Sequence, residues 1–160
     1  MVLRAGDKLP SHDFMIMGEE GPKKISTQEL CGVGRTVLFA VPGAFTPTCS
    51  AKHLPGFIEK AGELADKGVL RIACVSVNDV FVMEAWGKSQ GAGEDVLMLA
   101  DGNGSFAKAM GLEMDASGFG MGMRSQRYAM VVEDGIISSI YVEAPGNFEV
   151  SSAEYVLSQL

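Results

Sequence analysis

The sequence predicts an α/β fold in which one mixed β-sheet carries helices on both faces. Two observations lead to this prediction. A buried strand, an amphipathic helix and a second strand follow one another over residues 36–77, the order of a βαβ unit with parallel strands. A tight hairpin over residues 128–142 adds antiparallel strands. With 160 residues, 47% of them hydrophobic, the chain is long enough for one domain with a real core, so we expect a single domain over residues 1–160.

The N-terminal part is predicted to extend the sheet by a β-hairpin. Residues 14–17 and 23–25 flank a turn rich in glycine, with a proline at its end. Ser26 and Glu29 have the spacing of a capping box, which predicts a short helix ending at Leu30.

The central strand is predicted over residues 36–41, an apolar run rich in β-branched side chains. A tight connection with Pro42 and Pro47 then leads into a helix, and Pro47 suits the first turn because a missing N–H costs little there. The apolar positions of the helix share one face: Leu54, Phe57, Ile58, Ala61, Leu64 and Ala65.

The remaining elements continue the alternation and end in a hairpin and a helix. In chain order, we expect a strand at 69–77, a helix capped by Asn78 or Asp79, a strand at 96–99, a short helix ending at Gly111, a flexible loop at 113–123, hairpin strands at 128–132 and 136–142, and a helix from the capping box of Ser151 and Glu154 to Leu160. This layout is thioredoxin-like, with an N-terminal hairpin extension.

Cys49 is the residue at which the sequence predicts chemistry. It lies in the first turn of the predicted helix, where free N–H groups and the helix dipole favour a thiolate. Thr46 precedes it by three residues, and His53 follows it by four on the same helix face. The alternative is an inert buried cysteine in a turn. The polar neighbours, which packing does not require, favour a reactive thiol.

The other cysteines, Cys31 and Cys74, form no Cys-x-x-Cys pair, and the total of three is odd. Free thiols in a reducing compartment, and hence a cytoplasmic location, are expected. Cys74 lies in the middle of a predicted strand, so we expect it to be buried, with a role as a resolving thiol as the alternative. Only two histidines accompany the cysteines, which excludes a zinc site of four ligands, and we expect no metal and no bound cofactor.

The charge of the chain limits the classes of partner. A net charge of −7 argues against binding to nucleic acid or to an anionic membrane surface. No apolar run approaches the length of a membrane span, and residues 1–7 lack the apolar core of a signal peptide.

The residues around Cys49 also resemble a known family. Pro42, Thr46 and Cys49 form the pattern Pro-x-x-x-Thr-x-x-Cys, which resembles the active-site signature of the peroxiredoxins. The segment Pro-Gly-Ala-Phe-Thr-Pro-x-Cys-Ser, followed by His-Leu-Pro-Gly-Phe, is similar to the type II branch, which includes the animal peroxiredoxin V-like proteins and plant and bacterial members. The resemblance covers essentially the whole chain, with further matching segments at 73–79, 84–87, 99–101 and 127–132.

This resemblance implies a thiol-dependent peroxidase. The thiolate of Cys49 would reduce hydrogen peroxide or alkyl hydroperoxides and become a sulfenic acid. Thr46 and Arg127 would be the other catalytic residues, Arg127 because it directly precedes a strand of the pattern aromatic-small-x-Val-Val. The supporting residues would be Pro42 and Phe45 as a shield against water, Thr48 as a backbone donor, and His53 and Arg124 beside the site.

The resemblance also bears on how the enzyme is reduced. Animal members carry a resolving cysteine before the last helix, but residues 147–151 contain none. The spacing of Cys49 and Cys74 instead matches the plant and bacterial members, which are commonly reduced by glutathione and glutaredoxin. We therefore expect a 1-Cys-like peroxidase that uses an external thiol, from glutathione with glutaredoxin or from thioredoxin. A homodimer is implied by the resemblance alone.

Three other functions remain open from the residues themselves. The first is a peroxide sensor that passes oxidation to a partner protein without fast turnover. The second is a cysteine hydrolase or acyltransferase that uses Cys49 with His53, although no orienting carboxylate is evident. The third is a thioredoxin-like binding module in which Cys49 is incidental. Thr46 and Arg127 have a role only in the peroxidase chemistry, which favours that function.

Overall fold

The computed structural model describes residues 2–160. Nine strands form one large and one small sheet: β1 (Asp13–Gly18), β2 (Gly21–Ser26), β3 (Arg35–Ala40), β4 (Val69–Ser76), β5 (Leu97–Ala100), β6 (Glu113–Asp115), β7 (Met123–Ser125), β8 (Tyr128–Glu133) and β9 (Ile136–Val142). The α-helices are α1 (Thr27–Cys31), α2 (Leu54–Glu59), α3 (Ala61–Asp66), α4 (Val80–Gln90), α5 (Ser105–Met110) and α6 (Ala153–Gln159). A π-helical turn spans Cys49–His53, and a 3-10 turn spans Ser117–Phe119.

The large sheet is mixed, as the sequence predicts. Its seven strands lie in the order β2-β1-β5-β4-β3-β8-β9. The three central strands β5, β4 and β3 are parallel, whereas the hairpins β1–β2 and β8–β9 pair antiparallel at the two edges. The turn between β8 and β9 has Asp134 and Gly135 at φ of 49° and 82°, the left-handed backbone that a two-residue hairpin turn requires.

Alternation along β3 divides the core into two layers. Val37 and Phe39 point to one face and pack with the buried side chains of α2, α3, α4 and α6. Leu38 and Ala40 point to the other face and pack with α1 and α5. Helices therefore cover both faces, as predicted, and β3 is buried on both sides because it lies near the centre of the sheet.

The helix after Cys49 differs from the single continuous helix predicted. Its first five residues from Cys49 form the π-helical turn, and Lys60, with φ −93° and ψ 5°, separates α2 from α3. Gly56 and Gly62 on either side of Lys60 weaken the helix, because glycine is a poor helix former. Most of the apolar face is nevertheless retained, since Leu54, Phe57 and Leu64 are fully buried and Ile58 and Ala61 pack against them. Ala65, predicted on the same face, is exposed.

Two other predictions were wrong. Residues 113–123 are not a flexible loop, because β6 and β7 pair antiparallel there, with Glu113 opposite Ser125. Strands of three residues are too short to give a periodic signal in the sequence. The N-cap of α6 is Ser152, whose side chain accepts from the Tyr155 N–H, and not Ser151, whose hydroxyl donates to Glu143. The capping box of Ser26 and Glu29 is confirmed.

Candidate active site

The loop after β3 places Cys49 at the carboxyl end of the parallel strands. Asn78, at the end of β4, fixes this loop: its Oδ1 accepts from the Ala44 N–H at 3.0 Å and from the Ser76 hydroxyl at 2.6 Å. Phe45 takes a left-handed backbone with φ 65°, a strained conformation for a bulky residue and one that clusters at functional sites.

The helix begins beside this loop with an irregular turn. The Ser50 N–H donates to the Thr46 carbonyl at 3.0 Å, and the Leu54 N–H donates to the Cys49 carbonyl, five residues back. Such π-bulges occur often at functional sites. Among residues 2–160, no backbone carbonyl accepts from the amide N–H of Thr48 or Cys49. These two donors are available to an anionic or oxygen-bearing ligand.

Arg127 contacts the sulfur of Cys49 directly. Its Nη2 donates to the Cys49 Sγ at 3.1 Å, although the two residues are far apart in the sequence. Cys49 has no solvent exposure. The contact places a permanent positive charge and an N–H donor on the sulfur, because a guanidinium stays protonated in proteins. The arginine reaches the site because residue 127 directly precedes β8, and β8 pairs with β3, the strand that leads into the Cys49 loop.

His53 holds the other side of the guanidinium. The Arg127 Nη1 lies 2.8 Å from the His53 Nδ1, and the His53 Nε2 lies 2.8 Å from the Ser151 carbonyl oxygen. A guanidinium only donates and a carbonyl only accepts, so the imidazole must be neutral, with its proton on Nε2. Burial, followed by the charge of Arg127, lowers the pKa of His53 to about 3, which agrees with this assignment.

We expect His53 to make the folded protein less stable as the pH falls. The unfolded chain takes up a proton near pKa 6.5, whereas folded His53 stays neutral down to a pKa of about 3. Unfolding is therefore accompanied by the uptake of a proton at pH values between these two pKa values. Each unit by which the pH falls in this range lowers the free energy of unfolding by about 1.4 kcal/mol. Urea denaturation between pH 6 and pH 5 measures this slope. The His53→Gln variant should lose that part of the slope, and equal slopes would contradict a neutral His53.

A cavity of about 480 Å³ opens next to the cysteine. Its lining includes Pro42, Thr46, Thr48 and Arg127. The Thr46 hydroxyl donates to the Gly43 carbonyl at 2.7 Å, which leaves the lone pairs of its oxygen available to a ligand or to the sulfur.

Of the supporting residues, Phe45 lies elsewhere than expected, whereas Arg124 lies beside the cavity. Phe45 does not line the cavity, because its left-handed backbone turns the side chain outward; the ring is 55% exposed, and its centroid lies 6.5 Å from that of Trp86. Arg124 donates to the carbonyls of Met121 and Val77, at 2.9 Å and 3.0 Å, and so anchors β7 to the end of β4. It supports the wall of the cavity without a contact to the sulfur.

The remaining cysteines are buried and do not line the cavity. Cys74 is paired with Phe39 on one side and Met98 on the other, and burial raises its pKa well above the usual value. Cys31, at the end of α1, is also fully buried, and its pKa is raised to about 11. All three cysteines are free thiols. Within residues 2–160, no group of three His, Cys, Asp or Glu side chains could hold a metal ion, and no helix is long and apolar enough to cross a membrane.

Comparison with known proteins identifies the family. Residues 4–157 match the family described as Redoxin. A chloroplastic peroxiredoxin-2E-2 of Oryza sativa subsp. japonica is 52% identical over 163 residues, which cover 99% of this chain and 72% of the relative. Peroxiredoxin-2B of Arabidopsis thaliana is 45% identical over 159 residues, with 99% and 98% covered. The crystal structure of reduced Prx3 from Vibrio vulnificus in complex with hydrogen peroxide has a TM-score of 0.95 at 53% identity, with 99% of each chain covered.

The chain belongs to the redoxin family, as a type II peroxiredoxin. Its sheet and helices form the thioredoxin-like fold of these proteins, and its activity is that of a thiol-dependent peroxidase. The hydrolase alternative lacks support from the geometry as well. The Nδ1 of His53 faces Arg127 and its Nε2 faces Ser151, so His53 has no free nitrogen to act as a base towards Cys49.

Sequence reasoning missed two side chains that shape this peroxiredoxin site. Asn78 was interpreted only as a possible helix cap, yet it holds the loop at Ala44. Glu143 was not singled out, although it is 93% shielded from solvent, with a relative exposure of 7%. An isolated acidic residue at the end of a strand gives no local signal of burial, because its partners come from the following loop.

Proposed function

We propose that Cys49 is the peroxidatic thiol of a 1-Cys peroxidase that acts on hydrogen peroxide and alkyl hydroperoxides. The observation that carries this proposal is the 3.1 Å hydrogen bond from Arg127 to the sulfur of a fully buried cysteine. Thr46 and Arg127 are the other catalytic residues of the proposal.

In the proposed first step, the thiolate attacks the distal oxygen of the hydroperoxide. The S–O bond forms as the O–O bond breaks, Cys49 becomes a sulfenic acid, and the alkoxide or hydroxide that leaves takes a proton to become an alcohol or water. The N–H groups of Thr48 and Cys49, together with Arg127, can donate to the peroxide oxygens as negative charge develops. The Thr46 oxygen can accept from the hydroperoxide proton.

The size of the cavity supports organic as well as inorganic peroxides. Its volume of about 480 Å³ is many times the roughly 30 Å³ that one water molecule occupies in the liquid. Apolar side chains form part of its wall, including Met114, Phe119 and Met121. An alkyl chain attached to the reacting oxygens would find apolar contacts there.

The proposed second step uses an external thiol and no bound cofactor. A first external thiol attacks the sulfenic acid, which gives a mixed disulfide with Cys49 and releases water. A second external thiol then attacks the sulfur of the first, so that Cys49 is released as a thiol and the two external thiols leave as a disulfide. Because Cys49 is fully buried, the π-helical turn has to open before a bulky thiol can reach the sulfur. Glutathione with glutaredoxin is the favoured reductant, and thioredoxin is the alternative.

Burial is the reason for not assigning the resolving role to Cys74. Cys74 lies on β4, which pairs with β3 on one side and with β5 on the other, and this pairing holds the residue in the core. Its raised pKa keeps the thiol protonated, whereas attack on a sulfenic acid needs a thiolate. The proposal also includes a homodimer and a cytoplasmic location, both of which remain predictions.

Mass spectrometry after one equivalent of hydrogen peroxide tests the 1-Cys proposal. Without an added thiol, we expect a sulfenic acid on Cys49 and no intramolecular disulfide. With glutathione present, a glutathione adduct on Cys49 should replace it. The Cys74→Ala variant is the matched control and should give the same two products. A disulfide between Cys49 and Cys74 in the wild type would contradict the proposal.

A further inference from the structure

A buried carboxylate organises the loop that follows β9. The Glu143 Oε2 accepts from the backbone N–H groups of Glu149, Val150 and Ser151 at 2.8, 2.9 and 2.8 Å, and from the Ser151 hydroxyl at 2.7 Å. The loop between Glu143 and these donors, residues 144–148, is largely exposed. A buried carboxylate is costly unless donors surround it, and four donors on one oxygen, each a charge-assisted hydrogen bond, meet that need.

Glu143 is also hydrogen-bonded to Arg127 through the backbone. The Glu143 N–H donates to the Arg127 carbonyl at 3.0 Å, just beyond the paired part of β8 and β9. Glu143 thus contacts the main chain of the arginine on one side and Ser151 on the other.

These contacts form a closed ring of hydrogen bonds that includes the guanidinium of Arg127. From Glu143 the ring runs to Ser151, whose carbonyl lies 2.8 Å from the His53 Nε2, and from the His53 Nδ1 to the Arg127 Nη1, also at 2.8 Å. It returns to Glu143 through the carbonyl of Arg127. The Arg127 Nη2 points out of the ring to the Cys49 sulfur. A shift of the Ser151 carbonyl would therefore move His53, and with it the donor on the sulfur.

We propose that Glu143 is a positioning residue for the peroxidase reaction. Its carboxylate holds Ser151 so that His53 presents Nδ1 to Arg127, and Arg127 in turn faces Cys49. This inference rests on the proposed roles of Cys49 and Arg127. A glutamine has the same size but lacks the charge, so it would hold the four donors less strongly.

The test is the second-order rate constant of the pre-reduced protein with hydrogen peroxide, measured by stopped flow. We expect Glu143→Gln to slow this reaction about 10-fold to 100-fold, by analogy with the loss found when a residue that orients a metal ligand is replaced. Glu149→Gln is the matched control: its side chain is exposed in the same loop, and the rate should not change. Ser151→Ala removes only one of the four donors and should decrease the rate constant by a smaller factor. This variant replaces Glu143→Gln as the test if Glu143→Gln folds poorly.

A double-mutant cycle separates positioning from a general structural role. If Glu143 acts through Arg127, then Glu143→Gln should cause no further loss in an Arg127→Met background. An equal loss in both backgrounds, or a wild-type rate for both Glu143→Gln and Ser151→Ala, would overturn the inference. Arg127→Met alone reports on the proposed function: if that variant keeps the full rate, the role of Arg127 fails, whatever Glu143 does.

Discussion

Replacement of Cys49 by serine is expected to abolish peroxide reduction, with a loss of at least about 10⁴-fold, the scale on which enzymes lose activity without their nucleophile. A hydroxyl in this position would neither ionise at neutral pH nor take up an oxygen atom. The substitution changes one atom in a tightly packed site, so the fold should persist. Steady-state consumption of peroxide with a thiol reductant measures the loss, and thermal unfolding verifies that the variant is folded.

The other cysteines supply the controls for this prediction. Cys74→Ala and Cys31→Ser should both keep the rate of peroxide consumption, because neither residue lines the cavity. Substantial turnover by the Cys49→Ser protein would mean that another thiol reacts with peroxide. Loss of turnover in Cys74→Ala, with the first oxidation intact, would make Cys74 the resolving thiol.

Replacement of Arg127 by methionine is expected to have the second largest effect, about 10²-fold to 10³-fold on kcat/KM for hydrogen peroxide. The methionine fills a similar volume but removes the donor at 3.1 Å from the sulfur and the positive charge beside it. Both are needed where negative charge moves from sulfur to oxygen. Arg127→Lys should recover only part of the rate, since one ammonium cannot reproduce the fork that meets Cys49 and His53 together.

The matched control is Arg35→Met, which makes the same chemical change away from the site. Arg35 forms an ion pair with Glu133 at 2.9 Å, and both side chains are partly exposed, so its loss should leave catalysis unchanged. If Arg127→Met kept the rate of the wild type, the contact with the sulfur would be structural only.

Much of the fold could be predicted because its signals are local. The apolar run of β3, the Asp134–Gly135 turn and the capping box of Ser26 each act within a few residues. The order of these elements then requires a mixed sheet. In the site, Cys49 stood out because the start of its helix is visible in the sequence, and Arg127 because a family resemblance pointed to it.

What could not be predicted depends on distant contacts. The pairing of β6 and β7 gives no periodic pattern in strands of three residues. His53 could have been on the surface, and only the approach of Arg127 and the Ser151 carbonyl makes it a buried, neutral link. The side chain of Phe45 points away from the cavity because its backbone is left-handed, a property that its neighbours in the sequence do not reveal.

The most direct test of the role of Cys49 is rapid mixing of the pre-reduced protein with hydrogen peroxide, followed by tryptophan fluorescence. The indole N–H of Trp86, the sole tryptophan, donates to the Ser50 hydroxyl at 3.0 Å, one residue after Cys49, so oxidation of the sulfur should change its emission. We predict a fast signal that ends at one equivalent of peroxide and is lost in Cys49→Ser. A wild-type reaction no faster than that of free cysteine would contradict the account.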